Sequence, residues 1–200
     1  MRRSQALVGK SGLNKHFLKC SFNNFKVEQR GQAQALAAAR EYVARFAEHA
    51  SVGRGFLFYG NPGTGKNHLA SAMANALMAT NHSVVLLSVM ELFAKARTSF
   101  EGVSEERIFA EFCRPELLIL DEIGLQRGTA DELLWLTRVI DRRLYANKPM
   151  GFITNLNANE LQGLLGERGY DRLKDAVGMR VRFDWPSLRG RTVGGANEAA

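Results

Sequence analysis

Residues Gly60-Asn61-Pro62-Gly63-Thr64-Gly65-Lys66-Asn67 constrain this chain more than any other segment. They follow a short apolar run, Phe56-Leu57-Phe58-Tyr59, and lead into a stretch where Leu69, Met73, Ala76 and Leu77 recur at helical spacing. A glycine-rich turn between a buried strand and a helix lets successive backbone N–H groups face phosphate oxygens, and the helix amino end adds its positive dipole. This is the context of a Walker A loop. It predicts that Asn61, Pro62, Gly63, Thr64, Gly65, Lys66, Asn67 and His68 hold ATP or ADP, with Lys66 reaching the β- and γ-phosphates. The residue after the lysine is ordinarily Ser or Thr, whose hydroxyl binds Mg²⁺. Here it is Asn67, whose amide oxygen is expected to act as a magnesium ligand, directly or through water.

The rest of the chain alternates strand-like and helix-like segments. Gln32 to His49 has helical spacing, Val84 to Val89 reads as a strand, and Met90 to Arg97 and Ser104 to Phe112 read as helices. Leu117 to Leu120 is a buried strand, Asp131 to Tyr145 a long helix, and Gly151 to Thr154 a fourth strand. Met179, Val181 and Phe183 alternate with Arg180, Arg182 and Asp184, which predicts a fifth strand with one wetter face. This pattern implies an α/β fold with a parallel sheet covered by helices on both faces, whose ligands collect at the carboxyl ends of the strands. Two candidate motifs fall there. Leu117 to Leu120 runs into Asp121-Glu122, a Walker B pattern in which Asp121 holds Mg²⁺ and Glu122 orients the attacking water. Thr154-Asn155 closes the fourth strand, so Asn155 can bond the γ-phosphate or that water, the place of a sensor-1 residue.

Composition narrows the setting. No apolar run approaches the ~18 residues a membrane span needs, and Ser4 to Lys15 supplies no apolar segment for a secretory signal. The chain is expected in the cytoplasm, with Cys20 and Cys113 as reduced thiols. The formal charge of +7 is concentrated early: Arg2, Arg3, Lys10, Lys15, Lys19, Lys26 and Arg30 stand against Glu28. A basic arm ahead of a balanced domain suggests a polyanion partner such as nucleic acid, or simply a solvated terminus. The expected organisation is a flexible arm over 1–19, an ATPase domain over 20–193 and a frayed tail over 194–200, with little or no carboxyl-terminal lid.

These residues resemble the AAA+ helicase loaders of the bacterial DnaC type. Gly63-Thr64-Gly65-Lys66-Asn67-His68-Leu69-Ala70 is similar to the loaders' loop, including Asn after the lysine. Cys20-Ser21-Phe22, Asp121-Glu122-Ile123-Gly124, Ile140-Asp141-Arg142-Arg143, Thr154-Asn155 and Leu165-Gly166-Glu167-Arg168 also match, so the resemblance spans roughly Gly12 to Val193. It implies that Arg168 is an arginine finger acting on a neighbouring subunit's nucleotide, with Arg172 one turn on, and that Arg189 is a sensor-2 residue. Read without the resemblance, Arg168 is a surface ion-pair residue. The family implies self-association through the ATP sites, a weak Mg²⁺-dependent ATPase and a replicative helicase as partner. The loaders' helicase-gripping domain precedes the segment matching Cys20, where this sequence has nineteen residues.

Helicase loaders also bind single-stranded DNA through a helical insertion after the second strand. Met90 to Phe112 occupies that place, where Lys95, Arg97, Phe100 and Arg107 combine cations with an aromatic for base stacking. The bland alternative is an amphipathic helix with a solvated face. Two other functional readings share the fold: an ATPase helper of a DNA transposase, acting on duplex, and a nucleotide switch that occupies a helicase or its loader. Asn67 and Arg142-Arg143 favour the loader over the helper, and retention of Asp121 and Glu122 argues against lost catalysis.

Overall fold

The apolar runs become four strands, β1 (Gly55–Gly60), β2 (Val84–Ser88), β3 (Leu117–Ile123) and β4 (Met150–Thr154), and the alternating run becomes β5 (Val177–Phe183). This is a computed structural model, and it describes residues 17–125 and 128–188. Every paired strand is parallel, and the order across the sheet is β2-β3-β4-β1-β5. The described helices are α1 (Arg30–Ala44), α2 (Phe46–Ser51), α3 (Lys66–Ala79), α4 (Val89–Arg97), α5 (Glu105–Cys113), α6 (Ala130–Tyr145) and α7 (Ala158–Ala176). The AAA+ α/β architecture expected from the sequence is the one found. No described helix is long and apolar enough to cross a membrane.

Both faces of the sheet are covered, which is why its strands read as unbroken apolar runs. Phe56 and Phe58 join Leu69, Met73 and Leu77 of α3 and Ala35 and Ala39 of α1 in one cluster. Leu57, between them in β1, joins Phe93 of α4, Leu136 of α6 and Leu173 of α7 in the other. The same split divides β3, with Leu117 and Ile119 on the first face and Leu118 and Leu120 on the second. Strand β5 forms one edge, and its alternation holds: Arg180 and Arg182 are exposed while Phe183 is buried.

Two elements depart from the sequence reading. The helix predicted over Gln32 to His49 is two, broken at Arg45 (φ −104°, ψ 22°). The first begins at Arg30, because Gln32 Oε1 accepts the backbone N–H groups of Glu28 (2.6 Å) and Gln29 (3.0 Å) and caps it. Helix α7 was not anticipated: Gly163, Gly166 and Gly169 punctuate its apolar spacing, and Gly166 (φ 67°, ψ 171°) bends it in the middle. The expectations for residues 1–16, for Arg189 and for the tail lie outside the described residues.

The carboxyl end of α6 is tied to the base of the sheet by one side chain. Arg143 is fully buried, and its guanidinium donates to the carbonyls of Phe112 (2.7 Å), Pro115 (3.1 Å), Glu116 (3.1 Å) and Pro149 (2.8 Å). Three of those carbonyls belong to the segments entering β3 and β4 and that of Phe112 to the last turn of α5, so a single planar fork sets where both strands start. Burial pulls its pKa down to about 10, still well above neutrality, so the group is a cation caged by carbonyl dipoles. Lysine cannot span four acceptors from one nitrogen. Arg143→Lys and Arg143→Met are therefore expected to destabilise by on the order of 3 kcal/mol, since several buried acceptors lose a charged donor. In a chain of this size that lowers the melting temperature by about 6–12 °C. A melting temperature equal to the parent's in either variant would show that the cage is not needed.

Candidate functional site

The strand order brings the two motifs together. In the pairing register, Tyr59 of β1 and Ile123 of β3 both lie opposite Thr154 of β4. The glycine-rich loop thus leaves the sheet on one side of β4, Asp121-Glu122 on the other, and exposed Asn155 stands between them. Gly63 (φ 73°) and Gly65 (φ 96°) carry the loop through left-handed conformations. Gly65 also lacks space for a side chain, because a Cβ there would come within 3.0 Å of the Phe25 ring. Lys66 is almost buried, and its ammonium donates to the carbonyls of Gly60 (2.8 Å) and Asn61 (2.6 Å). Thr64 is fully buried, and its hydroxyl donates to Asn61 O at 2.7 Å.

Opposite the loop, β3 carries a bulge. Leu120 pairs with Phe152 but Ile123 with Thr154, so β3 spends one extra residue there. Glu122 takes φ 61°, a left-handed conformation that costs a side-chain-bearing residue about 1 kcal/mol. Its N–H donates to Asp121 Oδ1 (2.7 Å), which helps hold the conformation. The extra residue breaks the rule that neighbouring strand residues face opposite ways, and bulges of this kind commonly re-aim side chains beside active sites. The other Asp121 oxygen, Oδ2, accepts from Asn67 Nδ2, closing the site between β3 and the first turn of α3. Burial raises the Asp121 pKa to about 6 against the pull of the Glu122 N–H; the Glu122 charge adds to the rise and Lys66 opposes it.

A magnesium ion fits this donor set in one way. It is a hard cation that takes about six oxygens and keeps several waters. Asp121 and Asn67 are neighbours with an oxygen each, while among the described residues no three His, Cys, Asp or Glu side chains gather. The other ligands would therefore be phosphate oxygens and water. That is how a metal enters a phosphate-loop site rather than an all-protein cage.

The remaining candidates are spread over the surface. Exposed Arg168 lies on α7 in an open cleft with Glu167, Asp171, Arg172 and Asp175, and makes no hydrogen bond or ion pair with the described residues. Arg172 beside it is held by Asp141 (3.0 Å) and Asp175 (3.8 Å). The insertion between β2 and β3 is α4, a short turn over Thr98–Glu101, and α5. Here Lys95 is already paired with Glu111, whereas Arg97, Phe100 (78% exposed) and Arg107 face solvent. Arg97 forms part of a cleft of about 400 Å³ with Met90, Phe93 and Ala96 of α4 and Thr129 and Trp135 at the start of α6.

The loop's supports were not read from the sequence. Trp185 is buried and donates its indole N–H to Thr64 O (2.9 Å), Phe183 O accepts from Asn61 N (2.8 Å), and Leu188 N donates to Gly63 O (2.8 Å). Residues 183–188, from the last residue of β5 onward, thus clasp the loop. On the other side, His68 directs Nε2 to Asn24 Oδ1 (2.9 Å) and Ser21 O (3.3 Å), and its ring lies 5.7 Å from that of Phe25. The His68 side chain therefore secures the segment before α1. These contacts join residues more than forty positions apart, so no local pattern announces them. A late tryptophan in a polar stretch was the one available hint.

Residues 32–181 match the family described as IstB-like ATP binding protein. The replicative helicase loader DnaC of Escherichia coli K12 is 37% identical over 194 residues, 96% of this chain and 78% of the loader. An uncharacterised protein of the same strain, YdaV, is 38% identical over 192 residues, 96% of this chain and 76% of YdaV. Among solved structures, a DnaC helicase loader superposes with a TM-score of 0.77 at 20% identity, covering 86% of this chain and all of that one. DnaI superposes at 0.74 with 22% identity, covering 88% and 94%, and AMPPCP-bound DnaA from Aquifex aeolicus at 0.71 with 20% identity, covering 83% and 50%. The structural likenesses agree on the fold, and the family match and sequence identities carry the assignment: this chain belongs to the IstB/DnaC-type AAA+ ATP-binding family.

Proposed function

We propose that this chain is a slow, Mg²⁺-dependent ATPase that works as a helicase-loader-like switch, and that its copies complete one another's ATP sites. The observation that carries this reading is the facing pair of motifs across β4, Lys66 and Asn67 from the loop against Asp121 and Glu122 from the bulge. The loop Asn61 to His68 wraps the triphosphate, with the backbone N–H groups of Gly63 to His68 and the Lys66 ammonium as its donors. Asp121 and Asn67 would hold Mg²⁺, which would supply neutralisation of phosphate charge. Glu122 accepts a hydrogen bond from the attacking water, and Asn155 orients that water or the γ-phosphate. Arg168, exposed and without a partner among the described residues, reaches the nucleotide of a neighbour, where its fork meets charge developing on the transferred phosphoryl. Arg189 is kept as the sensor-2 candidate.

Turnover measures this division of labour. Glu122→Gln should bind a fluorescent ATP analogue like the parent, while hydrolysis falls by roughly 10²-fold or more. Arg168→Ala and Lys66→Ala should each be inactive separately, the first lacking the finger and the second the site. Mixed together they should recover part of the parent rate, because some interfaces then combine an intact site with an intact arginine. A mixture no more active than its components refutes the shared site.

The nucleic-acid partner proposed is single-stranded DNA, held along α4 and α5. Residues 90–112 carry five glutamates against three cations, so this is no general polyanion surface. With Lys95 engaged by Glu111, Arg97, Arg107 and Phe100 are the side chains free to meet phosphate and base. Joint substitution of the two arginines by alanine should weaken single-strand binding and lower its salt slope by about one for each phosphate no longer neutralised. Preferential binding of duplex by the parent would move the assignment to a transposase helper. The protein partner proposed is a replicative helicase, because the 37%-identical relative is a helicase loader. Co-purification of host helicase with the tagged chain, stronger with ATP than without, is the expected result, and no retention in either condition rejects it.

A further inference from the structure

The hydrogen bond between Asn67 and Asp121 bears on how a cation enters this site. An amide has a donating end and an accepting end, and a carboxylate only accepts. Two oxygens do not face each other at hydrogen-bond distance, so the amide must present its NH₂ to Asp121, which is the orientation found. Both Asp121 oxygens are thereby satisfied by neutral donors of the protein, Oδ2 by Asn67 and Oδ1 by the Glu122 N–H. The carboxylate is also nearly buried, with 9% of the residue exposed. A divalent cation shared by the two side chains requires the opposite orientation, with the Asn67 oxygen turned inward.

From this geometry, and on the phosphate-site reading above, we propose that Asn67 is a latch on the metal site: its NH₂ holds Asp121 in the place a cation would take, and the side chain must turn over before the metal is bound. A serine or threonine at this position has no such conflict. Its single oxygen both donates and accepts, so moving one hydrogen frees a lone pair for a metal while the heavy atoms stay still. The asparagine needs its whole amide plane to turn, and it gives up a charge-assisted bond in doing so. The latch also ties the first turn of α3 to the end of β3 without a metal. Nucleotide binding should then depend on divalent cation less steeply than in a loop with a hydroxyl here, and the cation should be the weaker of the two ligands.

The test compares the parent with Asn67→Thr and Asn67→Ser as chains of the same length. Each is titrated with a fluorescent ADP analogue in EDTA and in excess Mg²⁺, and then, saturated with ADP, with Mn²⁺ followed by electron paramagnetic resonance. The latch predicts Mn²⁺ half-saturation at about tenfold lower concentration in the variants, equivalent to about 1.4 kcal/mol. It also predicts a larger gain in ADP affinity on adding Mg²⁺ in the variants than in the parent. Two hydroxyl variants are used so that misfolding of one, visible as a lost melting transition, leaves the comparison intact. Equal Mn²⁺ half-saturation in parent and variants, with ADP binding normal, overturns the latch and spares the phosphate site. Absence of ADP binding by the parent overturns both.

Discussion

The pairing of β4 between β1 and β3 is the constraint on which the site depends. Neighbouring strands stand about 4.8 Å apart, so one intervening strand puts the phosphate loop about 10 Å from the end of β3. Side chains from both sides can close that distance, and the Asn67–Asp121 bond shows that they do. The pairing is in turn set by packing below the site. Phe56 lies opposite Gly151 in the register, and a Cβ on Gly151 would fall 2.4 Å from the Phe56 ring. At the base, Arg143 holds the segments that open β3 and β4. The heights at which Asp121 and Asn155 emerge are therefore decided by residues that never approach a ligand.

Several groups at the site are held in arrangements that are unfavourable on their own. A glutamate adopts a left-handed backbone, an aspartate is buried with a raised pKa, and an ammonium is almost wholly withdrawn from water. Each is unfavourable taken singly, and such departures persist only where the surroundings over-determine them. Here the surroundings are four strands of uninterrupted apolar residues packed on both faces, together with the clasp of Trp185 on Thr64. Three such departures gathered at one end of the sheet are what a functional site looks like, whereas buried Arg143 at the other end is fully occupied by backbone carbonyls.

What was readable in the sequence followed from periodicity and from chemistry at strand ends. Buried parallel strands are short apolar runs, so β1 to β4 were legible, and so were the glycines and acids that terminate them. Contacts between distant segments left no such trace. Nothing in Asp141-Arg142-Arg143 distinguishes a buried arginine from an exposed one, yet Arg143 is caged by carbonyls and Arg142 grips Glu106 at 2.7 Å. The break at Arg45 was hidden because residues on both sides keep the helical pattern, and only the backbone angles of that residue depart. Helix α7 was obscured by Gly163, Gly166 and Gly169, which interrupt the helical spacing of Leu161, Leu165 and Leu173.

Pairing, more than charge, narrows the field of candidate cations. The chain has 27 lysines and arginines, too many for charge to select among them. Arg138 and Arg142 are bound to Glu105 and Glu106 and lie over the Phe109 ring, Lys95 is bound to Glu111, and Arg172 to Asp141. A guanidinium already in such a pair must break it before meeting a phosphate, which cancels much of what the phosphate offers. Among the described residues, Arg97, Arg107 and Arg168 have no such pair to break, a freedom they share with Arg30, Arg114 and Arg180, so freedom is necessary for such a role without selecting it. Arg168 contrasts with Arg172, four residues on and bound to two aspartates. Of two arginines one turn apart on α7, the partnered one fastens the helix to its neighbour, and the other is available to a second molecule.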